Sequence, residues 1–139
     1  MRITKILWIA IPLVFLLAIA AVFLGPQPSR NPEVKLRQIA VQADPSDAAD
    51  VERARKKIEE IHNHLMKGAD FEQLALSESE APNAAQGGDM GWLGRGILAK
   101  HHEDIVFRLE KGQYSDIIED HRTEDLVYRI FYIEDRRNF

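Results

Sequence analysis

The feature that most constrains the fold is a run of ten residues, from Gly87 to Gly96, which contains five of the chain's eight glycines. Glycine lets the backbone adopt positive φ angles and approach another surface closely, so this run predicts a shaped loop. Large apolar residues, Met90, Trp92 and Leu93, lie between the glycines. A solvent-exposed linker has no need of such residues, and we therefore expect the loop to line or floor an apolar pocket.

Nucleotide-binding chemistry does not fit this run. A Walker-type phosphate loop needs a lysine and a hydroxyl residue after the last glycine, whereas Ile97 and Leu98 follow Gly96. A dinucleotide fingerprint needs a buried strand before the loop, and residues 79–86 lack that pattern. After residue 30 the chain carries 22 acidic and 15 basic residues, so we expect no nucleic-acid partner.

Residues 6–24 are uncharged and almost wholly apolar. As a helix they would extend about 28 Å at roughly 1.5 Å per residue, which matches a bilayer core of about 30 Å. The run predicts a transmembrane helix, and because Arg2 and Lys5 precede it, residues 1–5 are expected in the cytoplasm and the rest outside. A cleaved signal peptide is the alternative, although the run exceeds the roughly 7–15 residues of a signal core.

A short linker and one small domain follow the apolar run. Three prolines mark residues 25–33 as the linker, which leaves residues 34–139 as a single domain. The chain has no cysteine. Disulfides, thiolate chemistry, cysteine metal sites and lipid attachment through cysteine are therefore excluded.

The first half of the domain predicts a strand and a long helix. Apolar residues predict a strand at residues 34–41. Asp44 is the expected N-cap of the helix, with Pro45 at its first position. Apolar residues at three- and four-residue spacing then continue for about twenty residues until Gly68 closes the helix.

The second half predicts two further helices and two further strands. Asp70 and Gln73 form a capping box for a short second helix. After the glycine loop, apolar residues at 105–109 predict a third helix that stops near Gly112, and strands are expected at residues 114–118 and 126–133. The predicted fold class is α+β, a small sheet covered by helices.

Three short segments occur in a distinctive order in this domain. They are Phe71-Glu72-Gln73-Leu74-Ala75, the run from Ala84 to Trp92, and Phe107-Arg108-Leu109 before Lys111-Gly112. Together they resemble the parvulin-type (PpiC-type) peptidyl-prolyl cis/trans isomerases. The resemblance implies a four-stranded antiparallel sheet wrapped by helices and a shallow pocket beside the glycine loop that binds a proline-containing peptide.

The resemblance also implies which residues surround the bound proline. Met90, Leu93 and Leu98 match the apolar floor of the pocket, although all three could equally be core residues. His102 stands where the family commonly has an aromatic residue that caps the pocket. Trp92 is expected to pack rather than to contact the peptide.

The polar residues of the family's pocket are replaced in this chain. Gln38 and Ala81 match a histidine of the first strand and an acidic residue or cysteine before the loop. Arg129, with Tyr128 as the alternative, matches a histidine of the last strand. A positive charge at Arg129 could attract an acidic residue before the proline, but pairing with a neighbouring carboxylate is the favoured expectation because unpaired buried charge is rare.

No metal or other cofactor is expected from the spacing of the histidines. His62 and His64 project in different directions on a helix, and the adjacent His101 and His102 are also expected to diverge. A site that combines one of the latter pair with Glu103 or Asp104 is conceivable, but no ligand-bearing spacing recurs. The other acidic residues of the second half, Asp120 included, are expected to serve solubility.

Two functions follow from these patterns. The leading hypothesis is a single-pass protein of a bacterial inner membrane whose extracytoplasmic domain binds proline-containing segments of client proteins and isomerises them, if only weakly. The rival is a catalytically degenerate relative that acts as a binding or structural subunit, held in a membrane complex by residues 6–24.

Overall fold

The computed structural model describes residues 31–121 and 124–137. The predicted transmembrane helix, the cytoplasmic residues before it and most of the predicted linker lie outside these ranges. Within them, no helix is both long enough and apolar enough to cross a membrane.

Four strands and three α-helices occur in the described residues. In chain order they are β1 (Glu33–Ala43), α1 (Ala48–Met66), α2 (Phe71–Glu78), β2 (Asp89–Gly94), α3 (Lys100–Val106), β3 (Ile118–His121) and β4 (Leu126–Arg137). The strands form one antiparallel sheet in the order β2-β1-β4-β3. The expected α+β class and the four-stranded antiparallel sheet are thus confirmed.

One face of the sheet is covered by α1 and α2. The residues of β1 and β4 that point to this face alternate along each strand, as expected when one face of a strand is buried. They pack against the apolar stripe of α1 and against α2, and the central members of this core are Ile39, Val41, Tyr128, Ile130, Ile58, Ile61 and Phe71. The 3.6-residue spacing along α1 therefore has the role that the sequence predicts.

The opposite face of the sheet divides into an apolar part and a polar part. The apolar part packs α3 and the turn after it against the sheet, and it consists of Val34, Leu36, Val106, Phe107, Phe131 and Ile133. Gln38 and Arg129 continue the same face of β1 and β4, but they are polar. This face therefore carries an apolar surface that ends at a row of polar side chains.

Several predicted boundaries are wrong. The predicted loop contains an edge strand, β2, because residues 89–94 pair with β1. The N-cap of α1 is Asp47, whose carboxylate accepts from the backbone of Ala49 and Asp50. Asp44 instead accepts hydrogen bonds from the backbone and side chain of Ser46, in the turn before the helix.

The last elements are also displaced from their predicted positions. The third helix ends at Val106, before Leu109. Only Tyr114 of residues 114–117 forms a bridge, whereas β3 begins at Ile118. The interruption has a physical cause, since the Ser115 hydroxyl and not its carbonyl accepts the hydrogen bond of the Phe131 amide.

Candidate functional site

The candidate site is organised by Arg129, on the central strand β4. Arg129 pairs with Ala40 of β1 and with Ile118 of β3, so Gln38 and Asp120 are its diagonal neighbours on the two adjacent strands. A long side chain reaches such diagonal positions. The guanidinium donates to Asp120 Oδ2 over 2.8 Å and to Gln38 Oε1 over 2.9 Å.

Asp120 collects donors from two elements. Its Oδ1 atom lies 2.9 Å from the Nε2 atoms of both His101 and His102, at the start of α3. Burial alone would raise the pKa of Asp120, but hydrogen bonds from His101 and Arg129 outweigh burial and hold the pKa below its usual range. The carboxylate is therefore ionised, and both histidines donate to it.

His102 is enclosed by its neighbours. Its ring contacts Phe131 edge to face, with 5.2 Å between the ring centroids. Burial lowers the pKa of His102, and the nearby Asp120 carboxylate opposes this effect only in part. At neutral pH the ring is mainly uncharged, so it can pack against an apolar group.

Gln38 connects this polar row to the glycine run. Its side-chain amide donates to Asn83 Oδ1, and Asn83 in turn donates to the carbonyl of Asp89. The backbone amide of Gln38 donates to the carbonyl of Gly88 over 2.9 Å. Five side chains, from Asn83 through Gln38, Arg129 and Asp120 to His102, thus form one continuous chain of hydrogen bonds.

Gly88 has a specific steric role in the glycine run. Its φ is 76° and a Cβ atom there would lie 2.1 Å from the carbonyl oxygen of Gln38. No other residue type fits at this position without displacing the backbone. The close approach places β2 beside β1, and it thereby fixes Met90 at the edge of the site.

A cavity of about 420 Å³ lies beside this polar row. Five of the seven sequence-predicted site residues line it: Gln38, Met90, Leu98, His102 and Arg129. The remaining lining residues are Ala99, His101, Asp120, His121, Phe131 and the exposed Ile97. The cavity therefore has an apolar side and a hydrogen-bonded polar side, which is typical of a ligand pocket.

Ala81 and Leu93 do not line this cavity. Ala81 is buried in a small cluster with Ala40 and Val127, so it contributes no polar group. Leu93 is partly buried and packs against the apolar core beside α3. Leu93 therefore acts as a core residue behind the pocket, which is the alternative role that the sequence left open for it.

The two candidates at the last strand lie on opposite faces of the sheet. Tyr128 belongs to the core beneath α1, on the other face of the sheet, whereas Arg129 points into the cavity. The favoured expectation that Arg129 pairs with a neighbouring carboxylate is confirmed by its ion pair with Asp120. Trp92 packs with its ring 4.2 Å from the Arg137 guanidinium.

Two expectations about this region are wrong. His101 and His102 do not diverge, because both Nε2 atoms point to one oxygen of Asp120. Asp120 is buried and not a solubility residue. The place of Asp120 in the sequence could have indicated its role. When β3 pairs with β4, Asp120 lies diagonally opposite Arg129. Of the two carboxylates considered as ligands, Glu103 accepts hydrogen bonds from Arg95 and from the Gly96 amide, and Asp104 accepts one from Lys100.

A second cavity, of about 490 Å³, lies on the sheet face that carries α1 and α2. Its walls include Phe71, Tyr114 and Tyr132. None of the residues predicted for the site lines it, and the smaller cavity, which five of them line, is therefore the candidate site.

Comparison with known families identifies this arrangement. The sequence profile described as "Rotamase: PPIC-type PPIASE domain" matches residues 38–135, which include the residues that line the cavity and most of the sheet. The chain belongs to the PpiC-type peptidyl-prolyl isomerase family. The match begins at Gln38 and includes all seven residues predicted for the site.

Curated relatives of this PpiC-type domain are named as foldases and chaperones. The foldase protein PrsA of Geobacillus sp. (strain WCH70) is 40% identical over 82 residues, which are 58% of this chain and 28% of the relative. The chaperone SurA of Hahella chejuensis is 40% identical over 98 residues, 70% of this chain and 22% of the relative. The chain thus spans only about a quarter of the length of these relatives.

Solved structures match this PpiC-type domain in the same way. The crystal structure of a PpiC-type peptidyl-prolyl cis-trans isomerase domain has a TM-score of 0.64 at 25% identity, and the match covers 78% of this chain and 94% of that one. PrsA from Bacillus cereus has a TM-score of 0.62 at 27% identity, with 79% and 37% covered. The parvulin-like fold is therefore shared with an isolated domain and with a larger foldase.

Proposed function

We propose that the chain is a membrane-anchored peptidyl-prolyl cis/trans isomerase that acts on proline-containing segments of extracytoplasmic proteins. The observation that carries the proposal is the convergence of Gln38, Met90, Leu98, His102 and Arg129 on one cavity in a PpiC-type domain. Relatives named as foldase and chaperone support a role with client polypeptides. The apolar run at residues 6–24 supports the membrane anchor, with residues 1–5 inside and the domain outside.

The reaction requires no covalent chemistry. Rotation about a peptide bond meets a barrier of roughly 18–20 kcal/mol because of amide resonance. An enzyme lowers this barrier when it binds the twisted amide better than either planar form. An apolar pocket that holds the proline ring, together with hydrogen-bond donors beside the rotating carbonyl, meets this requirement, and no cofactor is needed.

The two sides of the cavity have different roles in this mechanism. Met90, Leu98 and Phe131 are the apolar groups that contact the proline ring, and the uncharged His102 ring closes the pocket beside Phe131. Gln38 and Arg129 line the same cavity and carry side-chain N–H groups. In this mechanism these two residues donate hydrogen bonds to the carbonyl of the twisted peptide bond. Ala81 and Leu93 pack behind the cavity and do not contact the peptide.

A second candidate is a domain that binds proline segments but does not isomerise them. It is favoured by one observation: Gln38 and Arg129 already hydrogen-bond to each other, and Arg129 is also paired with Asp120. Donors that are held in a closed network have to exchange partners before they stabilise a rotating carbonyl. In this case the chain would serve as a binding or structural subunit of a membrane complex, attached through residues 6–24.

A protease-coupled assay separates these candidates. The full chain in detergent is added to Xaa-Pro peptides with alanine, leucine, glutamate or lysine before the proline, and the cis-to-trans rate is compared with the uncatalysed rate. Acceleration in proportion to the protein concentration supports the isomerase. No acceleration for any peptide, combined with saturable peptide binding, supports the second candidate.

The membrane partner is tested separately. The full chain is recovered from membranes solubilised in mild detergent, in parallel with a chain whose residues 6–24 are replaced by an unrelated apolar helix. A protein that co-purifies with the native helix alone supports a subunit role. Recovery of client polypeptides alone, with either helix, argues against a dedicated membrane partner.

A further inference from the structure

The cluster of His101, His102 and Asp120 offers three ligand atoms that have no part in the proposed isomerase mechanism, in which only the ring face of His102 closes the pocket. Each residue offers one ligand atom, a ring nitrogen or a carboxylate oxygen, and these three atoms all lie within 4.8 Å of one another. Each Nε2 is 2.9 Å from Asp120 Oδ1. Ligand atoms of a tetrahedral zinc ion are about 3.3 Å apart, for bonds of about 2.0 Å. A small outward shift of these groups would make room for an ion.

We infer that His101, His102 and Asp120 bind one divalent transition-metal ion, of which Zn²⁺ is the best match. Two imidazole nitrogens and one carboxylate oxygen are ligands that zinc prefers, and they leave a fourth position for water. Coordination needs a free lone pair on each Nε2, so an uncharged ring changes tautomer: it releases the Nε2 proton to solvent and takes one up at Nδ1. Magnesium and calcium prefer sites made of oxygen ligands, so they are poor candidates here.

The groups around the cluster already hold the ligands in place. Asp120 uses its other oxygen, Oδ2, to accept from Arg129, which in turn is held by Gln38. The ring of His102 packs edge to face on Phe131, and the His101 ring lies 4.0 Å from it, centroid to centroid. Such outer contacts orient the ligands of a metal ion and typically change its affinity by 10–100-fold.

Solvent reaches the cluster from the side of His101. The side chain of His101 is 61% exposed, whereas those of His102 and Asp120 are 10% and 8% exposed. A metal ion can therefore enter without opening the core, and a water molecule can complete its coordination. The positive charge of Arg129 opposes the ion, so we expect a reversible site and not a permanently occupied structural one.

The position of the metal site predicts that a bound ion competes with the peptide. All three ligands line the cavity that also contains Met90 and Leu98. A hydrated ion between them would occupy the polar side of that cavity and exclude a peptide. Metal binding does not depend on the proposed isomerase activity, but inhibition by metal rests on that activity, so the two are measured separately.

Binding is tested by calorimetric titration of the full chain, untagged and stripped of metal in detergent, with ZnCl₂. We expect one ion per chain. H101A and D120N should each weaken binding by about tenfold or more, because each removes or weakens a ligand. H64A is the matched control, since His64 lies in the last turn of α1 and should leave the affinity unchanged.

A spectroscopic readout tests the coordination itself. Co²⁺ bound to two nitrogen ligands, a carboxylate and water in a tetrahedral site gives intense visible absorption bands, whereas octahedral Co²⁺ gives weak ones. We expect intense bands for the wild type and H64A, and loss of the bands for H101A, with circular dichroism confirming that each variant is folded. No saturable Zn²⁺ binding by the wild type, or equal binding by folded H101A, would overturn the proposal.

The effect on catalysis is a separate measurement. If the wild type isomerises peptides, Zn²⁺ at saturating concentration should abolish the acceleration, and a chelator should restore it. Absence of isomerase activity would remove the proposed function and leave metal binding unaffected. Full isomerase activity of the zinc-saturated chain would show that the ion does not exclude the peptide and would contradict its predicted position.

Discussion

The Nε atom of Arg129 donates a 2.8 Å hydrogen bond to Oδ2 of Asp120, across strands β4 and β3. The side chains are 15% and 8% exposed, so water screens this pair only weakly. The pair neutralises a charge that would otherwise point into the cavity. It also connects the part of the cavity near α3 to the part near β1, because the same guanidinium donates to Gln38.

Removal of one partner of this pair should destabilise the fold. R129M leaves the Asp120 carboxylate with only its two histidine donors, and we expect a loss of about 1.5–3 kcal/mol in the free energy of unfolding. A double-mutant cycle of R129M with D120N, measured by urea unfolding, should give a coupling free energy of about 1–3 kcal/mol. The exposed Arg55 and Glu52 provide the control cycle, in R55M and E52Q, with a much smaller coupling. Additive effects of R129M and D120N would contradict the pairing.

The close approach of Gly88 to β1 makes a second prediction. Gly88 and Gly96 both have positive φ, 76° and 87°, but only a Cβ at Gly88 would collide with the backbone. G96A should therefore cost about 1–2 kcal/mol for the left-handed conformation alone. G88A should cost about 2–5 kcal/mol, because steric overlap adds to that conformational term. Equal losses in urea unfolding for the two variants would show that the contact with Gln38 has no energetic weight.

Stability should depend on pH through Glu134, which accepts hydrogen bonds from Lys35 and Arg37. The hydrogen bond from Lys35, reinforced by that from Arg37, holds the pKa of Glu134 below its ordinary value of 4.5. A lowered pKa in the folded state means that the ionised carboxylate stabilises the fold above that ordinary value. This stabilisation is lost as the pH falls through the lowered pKa.

The variant E134Q isolates that contribution. Near pH 7 we expect it to be less stable than the wild type by about 1 kcal/mol, a modest figure because Glu134 is 30% exposed. The difference should shrink as the pH falls below about 4. Urea unfolding at several pH values measures it, and a difference that stays constant down to about pH 3 would contradict this account.

The floor of the cavity is tested by a pair of methionine variants. Met90 lines the cavity, whereas Met66 is 60% exposed at the end of α1. M90A removes apolar atoms from the proline pocket, so kcat/KM for an Ala-Pro peptide should fall by about tenfold or more. M66A should leave it unchanged. Equal activity of wild type and M90A, with both folded, would place the peptide elsewhere.

The main outline of the fold was accessible from the sequence because its signals are local. The apolar stripe of α1 and the alternation in β1 and β4 each depend on neighbouring residues along the chain. The sequence does not predict β2 because its pairing with β1 is long-range. In addition, Gly88, Gly91 and Gly94 lie just before or within the strand, and glycines favour a loop interpretation. The shift of β3 depends on the single hydroxyl of Ser115, which no periodicity indicates.

The candidate site was only partly accessible for the same reason. Five residues that the resemblance suggests line one cavity: Gln38, Met90, Leu98, His102 and Arg129. The acidic member of the network, Asp120, was missed, because its burial follows from the register between β3 and β4. Register is set by the whole sheet, and a one-residue slip would turn Asp120 to the other face.

Exchange NMR on a proline peptide tests the central claim most directly. Uncatalysed exchange between cis and trans Ala-Pro takes tens of seconds or longer, so the peptide alone gives no cross-peaks at mixing times of about one second. With the full chain in detergent at substoichiometric concentration, we expect cis-trans cross-peaks that weaken in M90A and persist in M66A. Absence of cross-peaks even at a stoichiometric concentration of the folded chain would contradict the isomerase assignment.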